Sequence, residues 1–199
     1  MNTIKISLAG DLGSGKTTVG RLLAEKIGGQ LYSTGTIQRR IAEEMGMTTL
    51  ELNRYMETHP EIDRRIDDGL RLLETEEQNL VIDSRLAWNF VPSSFSVYMH
   101  TDPVVAAERI LAAGRATEPF ATAEEAAASI AARRQSEVLR YRTLYGLDIA
   151  DMRNYRYVID TTRVSPETVA ETVYARCMEY FRGGAIPHEE LFPEKGNRS

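Results

Sequence analysis

A parallel α/β fold, with one five-stranded sheet covered by helices on both faces, is what this sequence predicts, and three observations carry the prediction. Short apolar runs alternate with longer stretches of helical spacing along the chain. Several of those runs, such as Leu80-Val81-Ile82, are apolar on every residue, as strands buried on both faces must be. The first run, residues 4–9, meets a glycine-rich turn and then a helical pattern at once, which is the strand-to-helix join of an α/β unit.

The elements follow in order. Ile4, Ile6 and Leu8 alternate with Lys5 and Ser7, and Gly10 ends the run, so residues 4–9 read as a core strand. Val19, Leu22, Leu23 and Ile27 recur at helical spacing until Gly28-Gly29 stops them. Gln30-Leu31-Tyr32-Ser33 is a short second strand, and a helix begins near Thr34-Gly35-Thr36. Residues 48–77 are helical and strongly charged but interrupted at His59-Pro60. Proline suits a first helical turn and not an interior, so two short helices are expected there.

Leu80-Val81-Ile82-Asp83 and residues 95–100 are the next two strands, and Asp102-Pro103 opens a helix over 104–113. Residues 114–120 break it, and an alanine-rich helix runs over 122–145. Residues 155–160 form the last strand. Ser165-Pro166-Glu167 then opens a helix that reaches residue 181, with Ser as cap and Pro in the first turn. One domain over 1–182 is expected, with a loose polar tail over 183–199 and no internal repeat. Residues 34–77 and 114–145 are more than a minimal α/β unit needs, so they read as helical insertions that cover or recognise substrates.

Composition narrows the function. Of 199 residues, 42% are hydrophobic and 27% charged, enough for one buried core. A net charge of -5 argues against a general nucleic-acid binder, which would carry a basic surplus. The single cysteine, Cys177, leaves no internal disulfide and no Cys-rich zinc site. His59, His100 and His188 lack metal-ligand spacing and read as surface or packing residues. No apolar run is long enough to span a bilayer, and the start lacks a signal-peptide pattern, so a cytoplasmic protein is expected.

The strongest motif is Gly10-Asp11-Leu12-Gly13-Ser14-Gly15-Lys16-Thr17, which has every fixed position of a phosphate-cradling loop. Such a loop must turn backbone N–H groups toward phosphates. Its glycines permit the required dihedrals and close approach, and the following helix adds its positive end. Lys16 supplies a mobile cation for the outer phosphates, and the Thr17 hydroxyl is placed to ligate Mg²⁺. Gly10, Asp11, Gly13, Ser14, Gly15, Lys16, Thr17 and Thr18 are therefore the expected nucleotide-phosphate site, in a P-loop NTPase three-layer sandwich. Asp83, at a neighbouring strand end, is the expected second metal-organising group.

Arginines carry the rest of the phosphate chemistry: 24 residues are basic, and lysine stands only at 5, 16, 26 and 195. The guanidinium fork grips phosphate at two points, which suits the positioning of a transferring group. Arg39 opens the first insertion, and Arg85 follows the third strand. Arg133, Glu137 and Arg140 share one face of the long helix at i, i+4 and i+7, a spacing that by itself fits a solvated ion-pair ladder as readily as a site.

Several stretches together resemble the cytidylate kinases, in particular the short archaeal-type branch of the nucleoside monophosphate kinases. They are residues 10–18, Ser33-Thr34-Gly35-Thr36-Ile37-Gln38-Arg39, Pro60-Glu61-Ile62-Asp63, Val81-Ile82-Asp83-Ser84-Arg85-Leu86-Ala87 and residues 140–149. The resemblance covers the chain to about residue 180. It implies a core, a helical NMP-binding insertion over 34–77 and a small lid within 114–145. It also implies that Arg39 and Arg85 contact the acceptor phosphate, and that Thr34, beside Gly35, helps to read cytosine. Glu137 and Arg140 would face the acceptor nucleotide. Gln38 stands where the family usually has an aromatic residue, and Asp83-Ser84-Arg85 lacks the usual glycine.

The expected reaction is transfer of the ATP γ-phosphate to CMP, dCMP or a similar nucleotide, with Lys16, Arg133, Arg140 and Mg²⁺ neutralising charge. The acceptor is already anionic, so no strong base is required. A kinase for another small acceptor and a catalytically silent ATP-binding module are the alternatives. By the same analogy the chain acts as a monomer, without nucleic-acid or membrane partners.

Overall fold

A computed structural model describes residues 3–114, 116–183 and 190–191. Its centre is β1 (Lys5–Gly10), buried along its whole length because Ile6 and Leu8 point into one apolar layer while Ala9 joins another. The strand order is β2–β3–β1–β4–β5–β6, all parallel, built from β2 (Gln30–Ser33), β3 (Leu80–Asp83), β4 (Phe95–His100), β5 (Tyr157–Asp160) and the two-residue β6 (Glu190–Leu191). The five expected strands are all present. A sixth, two-residue strand adds to the edge at β5 and falls within the segment read as a loose tail. Two residues at a sheet edge carry no periodicity that a sequence pattern could register. Residues 184–189 and 192–199, with His188, and Arg115 in the expected lid lie outside the described residues.

On one face of the sheet, α1 (Lys16–Ile27) and α8 (Pro166–Phe181) bury Val19, Leu23, Val169, Val173 and Cys177 against Leu8, Phe95, Val97 and Tyr157. Gly28 ends α1 in the left-handed conformation at φ 61°, and Ser165 caps α8 through the Thr168 N–H. The other face is covered by α4 (Pro60–Leu72), the short α5 (Ala87–Phe90) and α7 (Ala123–Tyr145), around Leu70, Ile82, Leu86 and Tyr141.

Two further helices, α2 (Thr34–Glu44) and α3 (Thr49–Met56), close with α4 around a small core of their own, formed by Ala42, Leu52, Met56 and Ile66. The break between α3 and α4 falls at His59, with Pro60 at the start of α4, as expected from its missing N–H. His59 itself stacks on Tyr55 at 3.6 Å between ring centroids. The helix α6 (Pro103–Ala113) is capped by Asp102, whose carboxylate accepts from the Val104 and Val105 N–H groups. Among the described residues no helix is long and apolar enough to cross a membrane.

The long α7 is unusual because the face it buries is polar. Arg133, Ser136, Glu137 and Arg140 are all under about a tenth exposed, so the solvated-ladder alternative for this face is excluded. Strand order reverses on either side of β1, and the crevice beyond the carboxyl ends of β1, β3 and β4 is where such sheets bind ligands.

Candidate active site

The glycine-rich loop leaves β1 in that crevice and enters α1 at Lys16. Gly10 has φ 140°, and a Cβ there would stand 2.2 Å from the Met99 carbonyl oxygen, so only glycine lets the loop pass β4. At Gly13, with φ 79°, a Cβ would stand 2.7 Å from the Ala106 carbonyl oxygen on α6. Inside the loop the Lys16 ammonium donates to the carbonyls of Gly10 (3.0 Å) and Asp11 (2.5 Å) and lies 3.3 Å from the Ser14 hydroxyl. Burial, and then the nearby Arg85 charge, pull its pKa down to about 7.

Register places Asp83 opposite Leu8, one strand over from the loop. There its carboxylate accepts from the Thr17 hydroxyl at 2.9 Å and the Ser33 hydroxyl at 3.1 Å, while Thr34 Oγ1 donates to its main-chain oxygen at 3.3 Å. An all-oxygen pair of one hydroxyl and one carboxylate is the donor set that suits a hard cation shared with phosphate oxygens. Among the described residues no group of three or more His, Cys, Asp or Glu could hold a metal alone. Thr17 and Asp83, both expected at the metal, thus lie within hydrogen-bond distance of each other, and Ser33 joins them at the same carboxylate oxygen.

Beyond the loop the cleft is walled by Thr17, Thr34, Gly35, Gln38, Arg39, Asp83, Ser84, Arg85, Arg133, Glu137 and Tyr141. Arg39 hydrogen-bonds the Thr36 hydroxyl at 3.0 Å. Arg85 donates to the Gly10 carbonyl and forms an ion pair through its Nε with Glu137. The other oxygen of Glu137 takes Arg133 Nε at 3.3 Å. Burial alone would raise the Glu137 carboxyl, but Arg85 and then Arg133 more than offset it and hold it well below the usual carboxylate range.

Four expected residues sit differently. Arg140 does not line the cleft: its guanidinium is committed to Asp63 (2.8 Å), Asn53 Oδ1 (2.8 Å) and the Ser136 hydroxyl (3.1 Å). Its buried neighbours on α3 and α4 consume it, so its position supports docking of α4 on α7 and not charge neutralisation in the cleft. Asp11 turns its carboxylate away from the loop, to the Tyr98 hydroxyl (2.6 Å), His100 Nδ1 (2.8 Å) and the Thr101 N–H (3.1 Å). Only its main-chain oxygen faces Lys16. Ser14 is buried, donating to Asp11 O at 2.8 Å. Thr18 borders both the main cleft and a second cavity on the far side of the loop, between Gly13, Arg109, Ile110, Thr161, Val164 and Pro166.

Arg109, another residue the sequence reading passed over, fixes that second cavity by donating to Thr161 O at 2.9 Å and Thr162 O at 3.2 Å. Its helical position on α6 offered no signal, since a partner 52 residues away is visible only in the fold.

Residues 5–163 match the model of the cytidylate kinase-like family. The chain belongs to that family. A cytidylate kinase of Pyrococcus furiosus is 40% identical over 171 residues, which covers 85% of this chain and 86% of that one. One of Thermoplasma volcanium is 34% identical over 183 residues, covering 90% and 94%. Among solved structures, a shikimate kinase from Bacteroides thetaiotaomicron superposes with a TM-score of 0.59 at 18% identity, over 90% of this chain and 98% of that one, a likeness of fold alone. As a member of the cytidylate kinase-like family the chain is an ATP-dependent phosphotransferase of the nucleoside monophosphate kinase type, built on a P-loop fold.

Proposed function

We propose that this member of the cytidylate kinase-like family transfers the γ-phosphoryl group of ATP to CMP or dCMP. The observation that carries the reading is the sharing of one cleft by two phosphate-binding sets. Lys16 and Thr17 of the glycine-rich loop line it together with Arg39, Arg85 and Arg133. Two anions can be brought end to end only where one cleft carries cations for both, and alignment is most of what this transfer demands.

A phosphate acceptor also fits the carboxylates. An alcohol would need a base, yet Glu137 is held ionised and weakly basic by Arg85 and Arg133, and Asp83 already accepts from the Thr17 and Ser33 hydroxyls. In this reading Lys16 leaves the loop carbonyls for the donor phosphates, while Arg85 and Arg39 orient the acceptor phosphate. Thr17 and Asp83 would hold Mg²⁺, which supplies charge neutralisation between the outer phosphates. The cavity bordered by Arg109, Ile110 and Val164 receives the donor base. Thr34 and Gln38 stand where the acceptor base enters. Residues 34–77 then act as the acceptor-binding insertion, and 114–145 as the lid and the helix that follows it, in a cytoplasmic monomer.

The test is a coupled ADP-release assay with Mg²⁺-ATP across CMP, dCMP, UMP, AMP, GMP and alcohol acceptors. CMP-dependent turnover that is lost in Arg39→Ala and Arg85→Ala supports the proposal. Turnover with an alcohol, or ATP binding without any acceptor-dependent turnover, would sink it.

A further inference from the structure

One buried carboxylate lies outside the motifs that define the site yet bonds to both α3 and α7 beside it. Glu118, in the segment between α6 and α7, has a side chain only 4% exposed. Its Oε1 accepts from Arg133 Nη1 at 3.1 Å and from the Thr49 hydroxyl at 3.4 Å. Thr49 is the first residue of α3, and its N–H donates to the Thr117 carbonyl at 3.0 Å. Arg133 in turn reaches Gln38 of α2 at 3.4 Å and Glu137 of its own helix. A side chain of α7 that walls the cleft is thus held between two carboxylates, one from its own helix and one from the 116–122 segment.

Two features suggest that this junction acts rather than merely packs. A guanidinium gripped through Nε and Nη1 has its plane fixed, and it keeps N–H groups on the Nη atoms for an incoming phosphoryl oxygen. Hydrogen bonds join Thr49 of α3 to Thr117 and Glu118, beside a groove of about 560 Å³ lined by Leu50, Arg54, Phe120 and Ser129. A polar junction next to open space can form and break without repacking the core.

We propose that Glu118 is a positioning residue. It orients Arg133 at the cleft wall and, through Thr49, makes the seating of residues 116–122 and of α3 a single event. The proposal rests on the reading of Arg133 as a group facing the transferred phosphoryl. Its consequence is that a ligand in the donor site is felt by α3, which belongs to the acceptor side.

Hydrogen–deuterium exchange on the full chain with Mg²⁺ and a non-hydrolysable ATP analogue tests this without any acceptor. In the wild type the analogue is expected to slow exchange in residues 49–56 at least fivefold. In Glu118→Ala the slowing is expected only in the glycine-rich loop and the 116–122 segment, with analogue affinity within twofold of wild type and kcat at least tenfold lower. Glu118→Gln keeps the acceptor for both Thr49 and Arg133, so it should retain the α3 response while kcat drops about threefold. It also serves where Glu118→Ala does not fold. An α3 response equal in wild type and Glu118→Ala, or absent from a wild type that binds the analogue, overturns the proposal. A kcat loss that only tracks the folded fraction does the same. A wild type that shows the α3 response yet phosphorylates no monophosphate overturns the acceptor assignment alone and leaves the coupling standing.

Discussion

Replacing Asp67 by Asn should stabilise the protein in alkaline buffer and not in acid. Asp67 is 4% exposed on α4 and accepts from the Tyr145 hydroxyl at 2.7 Å. Burial, opposed by that hydrogen bond and reinforced by the neighbouring Asp63, lifts its pKa from 3.8 to about 7. A raised folded-state pKa means that the native state keeps a proton which the unfolded chain releases. Its contribution to stability is full below pH 3.8 and is lost as pH rises through 7. The displacement corresponds to at most about 4 kcal/mol across that window. Asparagine is isosteric, keeps an acceptor for Tyr145 and carries no charge to bury, but its extra N–H costs about 1–2 kcal/mol if unpaired. The variant should therefore be about 2 kcal/mol more stable than wild type at pH 8 and level or slightly less stable at pH 4.5. Paired urea titrations read this directly, because taking the difference between the two proteins at each pH cancels every other titrating group. For a chain of this size the gain at pH 8 is a rise of about 4–8 °C in Tm. A difference that stays constant from pH 4.5 to 8, or that favours the variant more in acid, would refute the assignment of a buried, proton-holding carboxyl.

The remaining predictions address the site. Arg140→Met should cost about 3–5 kcal/mol, because it leaves Asp63 buried without its cation. Denaturation midpoints should fall by that amount, while a simultaneous Asp63→Leu recovers most of it. Gly10→Ala forces a Cβ into the Met99 carbonyl at φ 140°, so a loss of at least about 2 kcal/mol, with no measurable ATP binding, is expected from denaturation and calorimetry. Lys16→Met removes the loop's cation, and kcat should fall on the order of 10²–10³. Removing Mg²⁺ with EDTA should abolish turnover in the coupled assay. Asp83→Asn should raise the Mg²⁺ concentration needed for half-maximal rate about tenfold.

Much of the architecture was readable because α/β patterning is local. Strand bounds, the break at Pro60 and the Ser165 cap follow from neighbours within four residues, which is the range over which propensity and capping act. Three things escaped. The edge strand Glu190–Leu191 is too short to show a period, and the one-turn α5 too short to show a helical one. Arg109 and Glu118 act through partners at Thr161 and Arg133, distant in sequence, so nothing around them marks their role. Arg140 looked identical to Arg133 by helical spacing, and only the presence of Asp63 and Asn53 on the facing helices separates them.

What the sequence determined by itself was the phosphate loop and the order of strands and helices. A loop that must take positive φ at three positions and then start a helix leaves few residue choices, and these are written consecutively from Gly10 to Thr17. What only the tertiary structure decided was the use of each charge on α7. Arg133 faces the cleft between Glu118 and Glu137, while Arg140 is closed off by Asp63. The physical reason is that a buried guanidinium takes its meaning from the carboxylate brought to it. In this fold those carboxylates come partly from segments that meet α7 only after the chain has closed around it.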